Sequence, residues 1–346
     1  MLDSLSNKAI LTKARAMYGK RLRPENYNEM MRMQSVSDIT AYLKNETWYQ
    51  DVLAPISEAT AHRGQVENLI RRSVIDRYAK LLRYDFSKGK SFYSYLIIWS
   101  EIELILSCIR MLNSHSSDEF IISLPTYMIR YASFDLMGLA KARSFDDLLS
   151  VISHTQYYGI VKQFHPQKGV DYIDLIGCES AMLNFYYEKV FSLIRKNYKG
   201  STAKQLAVIF GTEIDIRNVG LIYRLKRYYH YQPAQIRKHL VQVPGQMTGR
   251  VLDEMVDATD AEAMMAVLQK TRFGRFYNAE HFSHIENVTE KTNYYTNGKQ
   301  LRFTIDAPVA LVSYMNCIEI EVENIFCIIE GVRYRVPMEE IRSLLV

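Results

Sequence analysis

The 346-residue chain is poor in turn formers: its 15 glycines and 8 prolines are roughly half the usual combined share of about 12%. That scarcity excludes a collagenous chain and speaks against an all-β sandwich, whose frequent turns consume both residues. It has four cysteines, Cys108, Cys178, Cys317 and Cys327, with no CxxC spacing. A disulfide scaffold and a zinc ribbon are thereby excluded, and free thiols in a reducing compartment are expected. No apolar run approaches the roughly 20 residues that span a bilayer, and the opening MLDSLSNKAILTKARAMYGKRLR lacks the apolar stretch of a signal peptide. Any membrane contact is expected to be peripheral. Also missing are GxxxxGK[ST], a GxGxxG after a strand, GxSxG and HExxH, so nucleotide binding, an esterase elbow and a zincin site have no residues to stand on.

Enough apolar residues are present for a core, 48% of the chain against 23% charged, and this excludes global disorder. The length exceeds what one core usually organises, which predicts several units. A net charge of +5 suits an acidic partner but falls short of the basic stripe of a dedicated nucleic-acid binder.

One pattern occurs in three copies, at a period near a third of the chain. Its first element is a short helix opened by a hydroxyl with an acid three residues on: Ser35 with Asp38, Ser144 with Asp147, and Thr259 with Glu262. The hydroxyl accepts an orphan backbone N–H and the acid returns the bond. Each helix leads to aromatics, Trp48-Tyr49, Tyr157-Tyr158 and Phe273. The second element is acidic and lies within an apolar helix: Glu101-Ile-Glu103, Glu213-Ile-Asp215 and Glu319-Ile-Glu321, at offsets of 112 and 106. Between them run stripes of helical spacing: Val66, Leu69, Ile70, Val74, Tyr78, Leu81 and Leu82; then Ile176, Leu183, Tyr186, Val190 and Leu193; then Ile285, Val288, Thr292 and Tyr295. Each copy is expected to hold a short helical pair followed by two long helices. Turns at Gln232-Pro233, Val243-Pro244-Gly245 and Lys168-Gly169 punctuate the chain, and the copies are expected to span 1–115, 116–238 and 239–346. Three copies suit an open solenoid or a closed pseudo-threefold arrangement.

Residues two apart on a helix point to nearly opposite sides, so Glu101 and Glu103, and their counterparts, do not share a substrate. No catalytic residue is nominated. Each buried acid must instead meet a cation, a capping donor or a wet cavity. The copies either pair these acids internally or aim them at a common hollow that receives another protein. Arg217, Arg224, Lys226 and Arg227 face a partner or pair with the acids. His281 and His284 stand one helical turn apart, too few ligands for a metal. Phe92, Tyr93, Tyr95 and Trp99 form one aromatic cluster and Tyr223, Tyr228, Tyr229 and Tyr231 another; the second, mixed with Arg and Lys, suits packing, a protein interface or base stacking.

The triplication, the segment from Gly211 through Glu213, Arg217, Asn218 and Arg224 to Lys226, the segment from Glu319 through Asn324 to Tyr334, and a closing helix from Val336 to Leu345 together resemble the C subunit of V-type (A/V-type) ATPases, a family similar to the d subunit of the vacuolar enzyme. The first copy departs by carrying Leu106 in place of Asn218 and Asn324. The resemblance implies an all-α fold of three pseudo-threefold-related repeats forming a funnel with a central cavity. It implies a non-catalytic central-stalk component, without cofactor or metal, that couples the D and F subunits of the shaft to the membrane rotor ring of proteolipid subunits for H+ or Na+ transport. It also implies a peripheral position on the cytoplasmic face of the cell membrane, with no nucleic acid. Glu101, Glu213, Arg217, Arg224 and Glu319 are the expected partner-binding residues. The alternative is a stand-alone helical scaffold that binds peptide or nucleic acid through residues 217–231.

Charge reversal at Arg217 and Arg224 is expected to weaken assembly with the shaft more than it weakens the fold. Co-purification compared with thermal melting measures this, and equal losses would mark both residues as structural.

Overall fold

A computed structural model describes residues 2–57, 62–82, 92–114, 128–129, 131–167, 172–278, 282 and 284–346. The expected junction near 115, the Lys168-Gly169 turn and His281 lie outside the described residues. Every regular element is helical, and among the described residues there is no strand. The all-α expectation therefore holds. No helix of the described chain is long and apolar enough to cross a membrane.

Contacts divide the chain into two compact units: Met1–Ser87, Gly200–His230 and Gly245–Val346 form one, and Lys88–Lys199 and Tyr231–Pro244 the other. The first holds α1 (Leu2–Gly19), α2 (Pro24–Met31), α3 (Val36–Glu46), α4 (Gln50–Leu53) and α5 (Arg63–Leu82). The second holds α6 (Ser94–Ser114), α7 (Leu136–Lys141), α8 (Phe145–Val151), α9 (Tyr158–Val161) and α10 (Leu175–Asn197). α11 (Gly200–Tyr229) belongs to the first unit, α12 (Pro233–His239) to the second. The first is completed by α13 (Gly249–Asp257), α14 (Ala261–Gln269), α15 (Ile285–Phe303), α16 (Ala307–Arg333) and α17 (Met338–Leu344).

The core of the first unit is α16. Of its 27 residues, only Asn316, Glu319, Glu323, Cys327, Glu330 and Arg333 are not buried, as befits a helix apolar nearly all round. α1, α2, α3, α5, α11, α15 and α17 pack on it. Two of the expected stripes supply the packing faces: Val66, Ile70, Val74, Tyr78 and Leu81 are buried on α5, and Leu183, Tyr186 and Val190 on α10. The third differs. Tyr295 is exposed, and the buried face of α15 is Ile285, Val288, Thr289, Thr292, Asn297 and Leu301. A stripe with that much polarity gives a weak periodic signal.

In the second unit α10 packs on α6, α9 and α12. Asn113 ties the end of α6 to the approach to α10, accepting from the Ile173 N–H at 2.9 Å and donating to its carbonyl at 3.0 Å. The first aromatic cluster is packing: Phe92 lies 5.3 Å from Tyr93 and from Tyr95 and 5.2 Å from Tyr198, and Trp99 lies 5.2 Å from Tyr186.

The serine half of the capping logic holds, the acid returns a bond at Asp147, to the Ser144 N–H at 3.0 Å, and the third cap is shifted. Ser35 and Ser144 accept the N–H of Asp38 and Asp147, each at 3.1 Å. In the third case Asp260, not Thr259, is the cap, accepting from the Ala263 N–H at 2.7 Å, while the Thr259 hydroxyl bonds the Asp260 carboxylate at 3.1 Å. A carboxylate is the stronger acceptor for a helix N-terminus, and it displaces the hydroxyl by one position.

α17 closes the first unit. Its Ile341 is 2% exposed and presses on Gly331, where an added Cβ would stand 2.5 Å from the isoleucine. Asn324 binds the N–H and the carbonyl of Val346, both at 3.2 Å. Ile341→Ala is expected to cost about 2–4 kcal/mol of stability, and removal of Met338 to Val346 more, as measured by denaturant unfolding of the full chain. An unchanged midpoint in the truncated chain would refute the role of this helix.

Candidate functional site

Three buried carboxylates, each within a long helix, carry the polar organisation of the chain. Glu101 on α6, 2% exposed, accepts the Ser133 N–H and the Tyr157 hydroxyl. Asp215 on α11 accepts the N–H of Gln246 at 3.1 Å, that of Met247 at 3.0 Å and the Arg272 guanidinium at 2.8 Å. Glu321 on α16 accepts the Leu22 N–H at 2.7 Å, the Tyr49 hydroxyl at 3.0 Å and the Trp48 indole at 3.2 Å. In every case the donors are backbone N–H groups just before a short helix, together with side chains from an aromatic turn.

That turn repeats in detail. Thr47, Thr155 and Thr271 each donate a hydroxyl back to the preceding helix, at Leu43, Ile152 and Leu268. Each accepts the N–H two residues on, from Tyr49, Tyr157 and Phe273, all at 3.2 Å. The three rings are fully buried. Phe273 has no hydroxyl to give, and Arg272 beside it supplies the donor, as Trp48 does beside Tyr49. A Thr-x-aromatic triplet at 47–49, 155–157 and 271–273 was the available sequence signal; the capping pattern drew attention to the aromatic and missed the threonine.

The bonding also corrects the alignment of the copies. Glu101 matches Asp215 and Glu321, two residues beyond the Glu213 and Glu319 with which the sequence pairs it. Leu104, rather than Leu106, then stands where Asn218 and Asn324 do. A Glu-Ile-acid string repeated in all three places invites this slip, because string matching ignores which of its two acids faces inward.

Local backbone geometry serves the node at Asp215. Gly245 passes so near α11 that a Cβ there would come within 2.0 Å of the Asp215 carboxylate and 2.9 Å of the Gly211 carbonyl. Burial pushes the carboxyl groups of Asp215 and Glu321 upward, and the converging donors pull them back.

The acids two residues earlier point away, as the helical 100° step requires. Glu213 is half-buried and accepts the Asn316 amide at 2.7 Å. Glu319 is exposed, yet the protein crowding it is the largest cause of its raised carboxyl. Both carboxyl groups are pushed up to about 7, first by desolvation and then by like charge, Glu290 beside Glu213, and Glu213 with Glu323 beside Glu319. Arg217 opposes this at Glu213, Glu290 and Glu319. Arg71 pairs with Glu323 at 3.2 Å. Nothing in the sequence pattern distinguishes Glu290 and Glu323 from ordinary helix polarity.

The other expected residues are engaged within the chain. Arg224 pairs with Glu286 at 2.7 Å, Arg227 with Glu262 at 2.5 Å, and Lys226 donates to the Ala258 carbonyl. Of the tyrosines in 217–231, Tyr223 is buried while Tyr228 and Tyr229 are exposed. His284 is the N-cap of α15 rather than part of a helix face, and among the described residues no three potential ligands gather round a metal position.

Removing a node acid strands its donors. Glu321→Ala is expected to cost about 3 kcal/mol or more. Thr47→Val, Thr155→Val and Thr271→Val each lose two bonds, at a cost of about 1–2 kcal/mol, similar at all three sites. Denaturant titration of the four variants checks this, and a silent threonine site would break the equivalence.

The family described as ATP synthase (C/AC39) subunit matches residues 10–344. The A-type ATP synthase C subunit of Methanosphaera stadtmanae is 22% identical over 349 residues, covering 96% of this chain and 86% of the relative. That of Methanosarcina acetivorans is 22% identical over 307 residues, 81% of each chain, and that of Methanococcoides burtonii 25% over 232 residues, 64% of this chain and 60% of the relative. The family match takes in all three nodes together with Glu213 and Glu319, and the chain belongs to the ATP synthase (C/AC39) subunit family.

Proposed function

We propose that this component of a rotary ATPase is a non-catalytic socket in the central stalk, with three related copies, 1–115, 116–238 and 239–346, closed around a pseudo-threefold axis into a funnel. The observation that carries this reading is the direction of the node bonds. The acid of the first copy holds the opening of the second, Glu101 to Ser133 and Tyr157; that of the second holds the third, Asp215 to Gln246, Met247 and Arg272. The acid of the third returns to the first, Glu321 to Leu22, Trp48 and Tyr49. An open solenoid leaves its last copy without such a return; a closed set of three does not.

Glu213 and Glu319, each two residues before its node acid, line the opening. The opening receives the end of the shaft, built of the D and F subunits, while another face of the funnel sits on the proteolipid ring at the cytoplasmic side of the membrane. A coupling that bears torque requires two interfaces, each of about 1,600 Å² or more. Of the expected partner-binding residues, Glu213, Arg217 and Glu319 belong to the socket. Glu101 and Arg224 act by holding the body together. Carboxylates short of cations make the shaft surface that enters here a basic one. Capture of ring and shaft subunits from native membranes by the tagged chain tests the assignment; their absence, or ATP turnover by the purified chain, would count against it.

The raised carboxyl groups give the socket two opposite pH dependences. Glu213 and Glu319 hold their protons more tightly folded, near 7, than unfolded, near 4.5. Their contribution to stability is thus fully present below about pH 4.5 and lost as the pH rises through about 7. Affinity for the basic shaft runs the other way, rising between about pH 6 and 8 as the carboxylates ionise. Glu213→Gln with Glu319→Gln is expected to flatten both profiles, read by calorimetric melting and by titration with the D–F pair. A binding profile that stays steep in the double variant would assign the effect elsewhere.

A further inference from the structure

The two most exposed large apolar side chains among the described residues are Phe303, 76% exposed, and Ile305, 81% exposed. They stand on either side of Thr304 in the tight turn between α15 and α16. This turn is built rather than loose. Thr304 is buried and extended, its N–H donates to the Gln300 carbonyl at 2.9 Å, and its hydroxyl accepts the Asp306 N–H at 3.1 Å. Arg15 reaches across from α1 and donates to the carbonyls of Leu301, Arg302 and Thr304 at 3.0, 3.1 and 2.5 Å. Gln205 on α11 holds the Asp306 carboxylate at 3.1 Å. With Thr304 pinned inward, its two neighbours are turned outward.

Cations surround the pair. Lys299 and Arg302 are exposed, and so is Arg15. Lys299 lies one turn behind Phe303 on the same face, and Tyr295 one turn behind that, beneath the guanidinium of Arg275 at 4.3 Å. Exposed Tyr295, Lys299 and Phe303 therefore form a stripe about 12 Å long at 1.5 Å per residue, apolar at its tip and cationic behind it.

We propose that this hairpin tip is a membrane-interface anchor: Phe303 and Ile305 insert among the headgroups of a bilayer, and Lys299 and Arg302 meet anionic lipid phosphates. A convex tip of two side chains is far too small for a protein–protein interface of standard size. An apolar tip backed by cations and an interfacial tyrosine is what a lipid surface rewards. Arg15 is a positioning residue, since its bonds hold the turn that presents the tip. The anchor goes beyond the coupling role, and neither depends on the other.

The test is co-sedimentation of the purified full chain with phosphatidylcholine vesicles, with and without added phosphatidylglycerol. The expected result is binding to the anionic vesicles that falls as salt is raised, and that drops roughly tenfold or more in Phe303→Ser/Ile305→Ser. Lys299→Glu weakens anionic binding and leaves the weak neutral binding alone. Both positions are exposed, so thermal melting of the variants stays at the parent value. Wild-type chain left in the supernatant, or a double variant that sediments as well as the parent, would overturn the anchor. So would a double variant that keeps its vesicle binding but loses capture of ring subunits in detergent, since that result assigns the tip to a protein partner. Capture of the shaft alone bears on the coupling role and is unaffected by either variant.

Discussion

A carboxylate inside a helix bundle has to be given hydrogen-bond donors, and the way this chain gives them organises the rest of it. Taking an acid out of water costs several kcal/mol even after relaxation, so Glu101, Asp215 and Glu321 are tolerable only where N–H and O–H groups converge on them. Those groups come from segments remote in sequence: Leu22 lies 299 residues before the acid it serves. Ion pairs and buried acids are poor sources of net stability, because a well-packed apolar residue often does as well. What a buried acid with directional donors contributes is register: only one placement of the opening segments satisfies it.

The aromatic turn follows from that requirement. For a tyrosine hydroxyl to reach the acid, its ring must be driven fully inward and its backbone must reverse out of the preceding short helix. Threonine two residues before does both, satisfying a carbonyl at the helix end and fixing the N–H of the aromatic. Where the ring is Phe273, the donor moves to Arg272, whose guanidinium reaches the Asp215 carboxylate at 2.8 Å. The solutions differ in chemistry and agree in geometry, so the geometry is what the fold requires.

The same helices serve two purposes because of the angular step between adjacent residues. Inward, Asp215 and Glu321 are saturated by donors. Two positions earlier, Glu213 and Glu319 point away from the nodes, and desolvation raises both carboxyl groups to about 7. At the nodes converging donors oppose the cost of burial, whereas at Glu213 and Glu319 neighbouring acids add to it.

Much of this was legible in the primary structure. The long helices announced themselves through their apolar spacing, two of the three short-helix caps through a serine three residues before an acid, and the pair of opposed acids through the helical step alone. Misreadings occurred where chemistry and string disagree: Thr259 yields the cap to the stronger acceptor Asp260, Tyr295 leaves the stripe because Thr289 and Asn297 pack in its stead, and Glu101 aligns with Asp215 rather than Glu213. Periodicity, capping and the placement of acids on opposite faces are properties of a few neighbouring residues, and the sequence by itself determined them. Which acid meets which donor, which arginines are consumed by Glu286 and Glu262, and which apolar pair remains outside at the 303–305 turn depend on residues tens to hundreds of positions apart. Only the tertiary structure decided those, because a buried charge is satisfied in space and takes no account of distance along the chain.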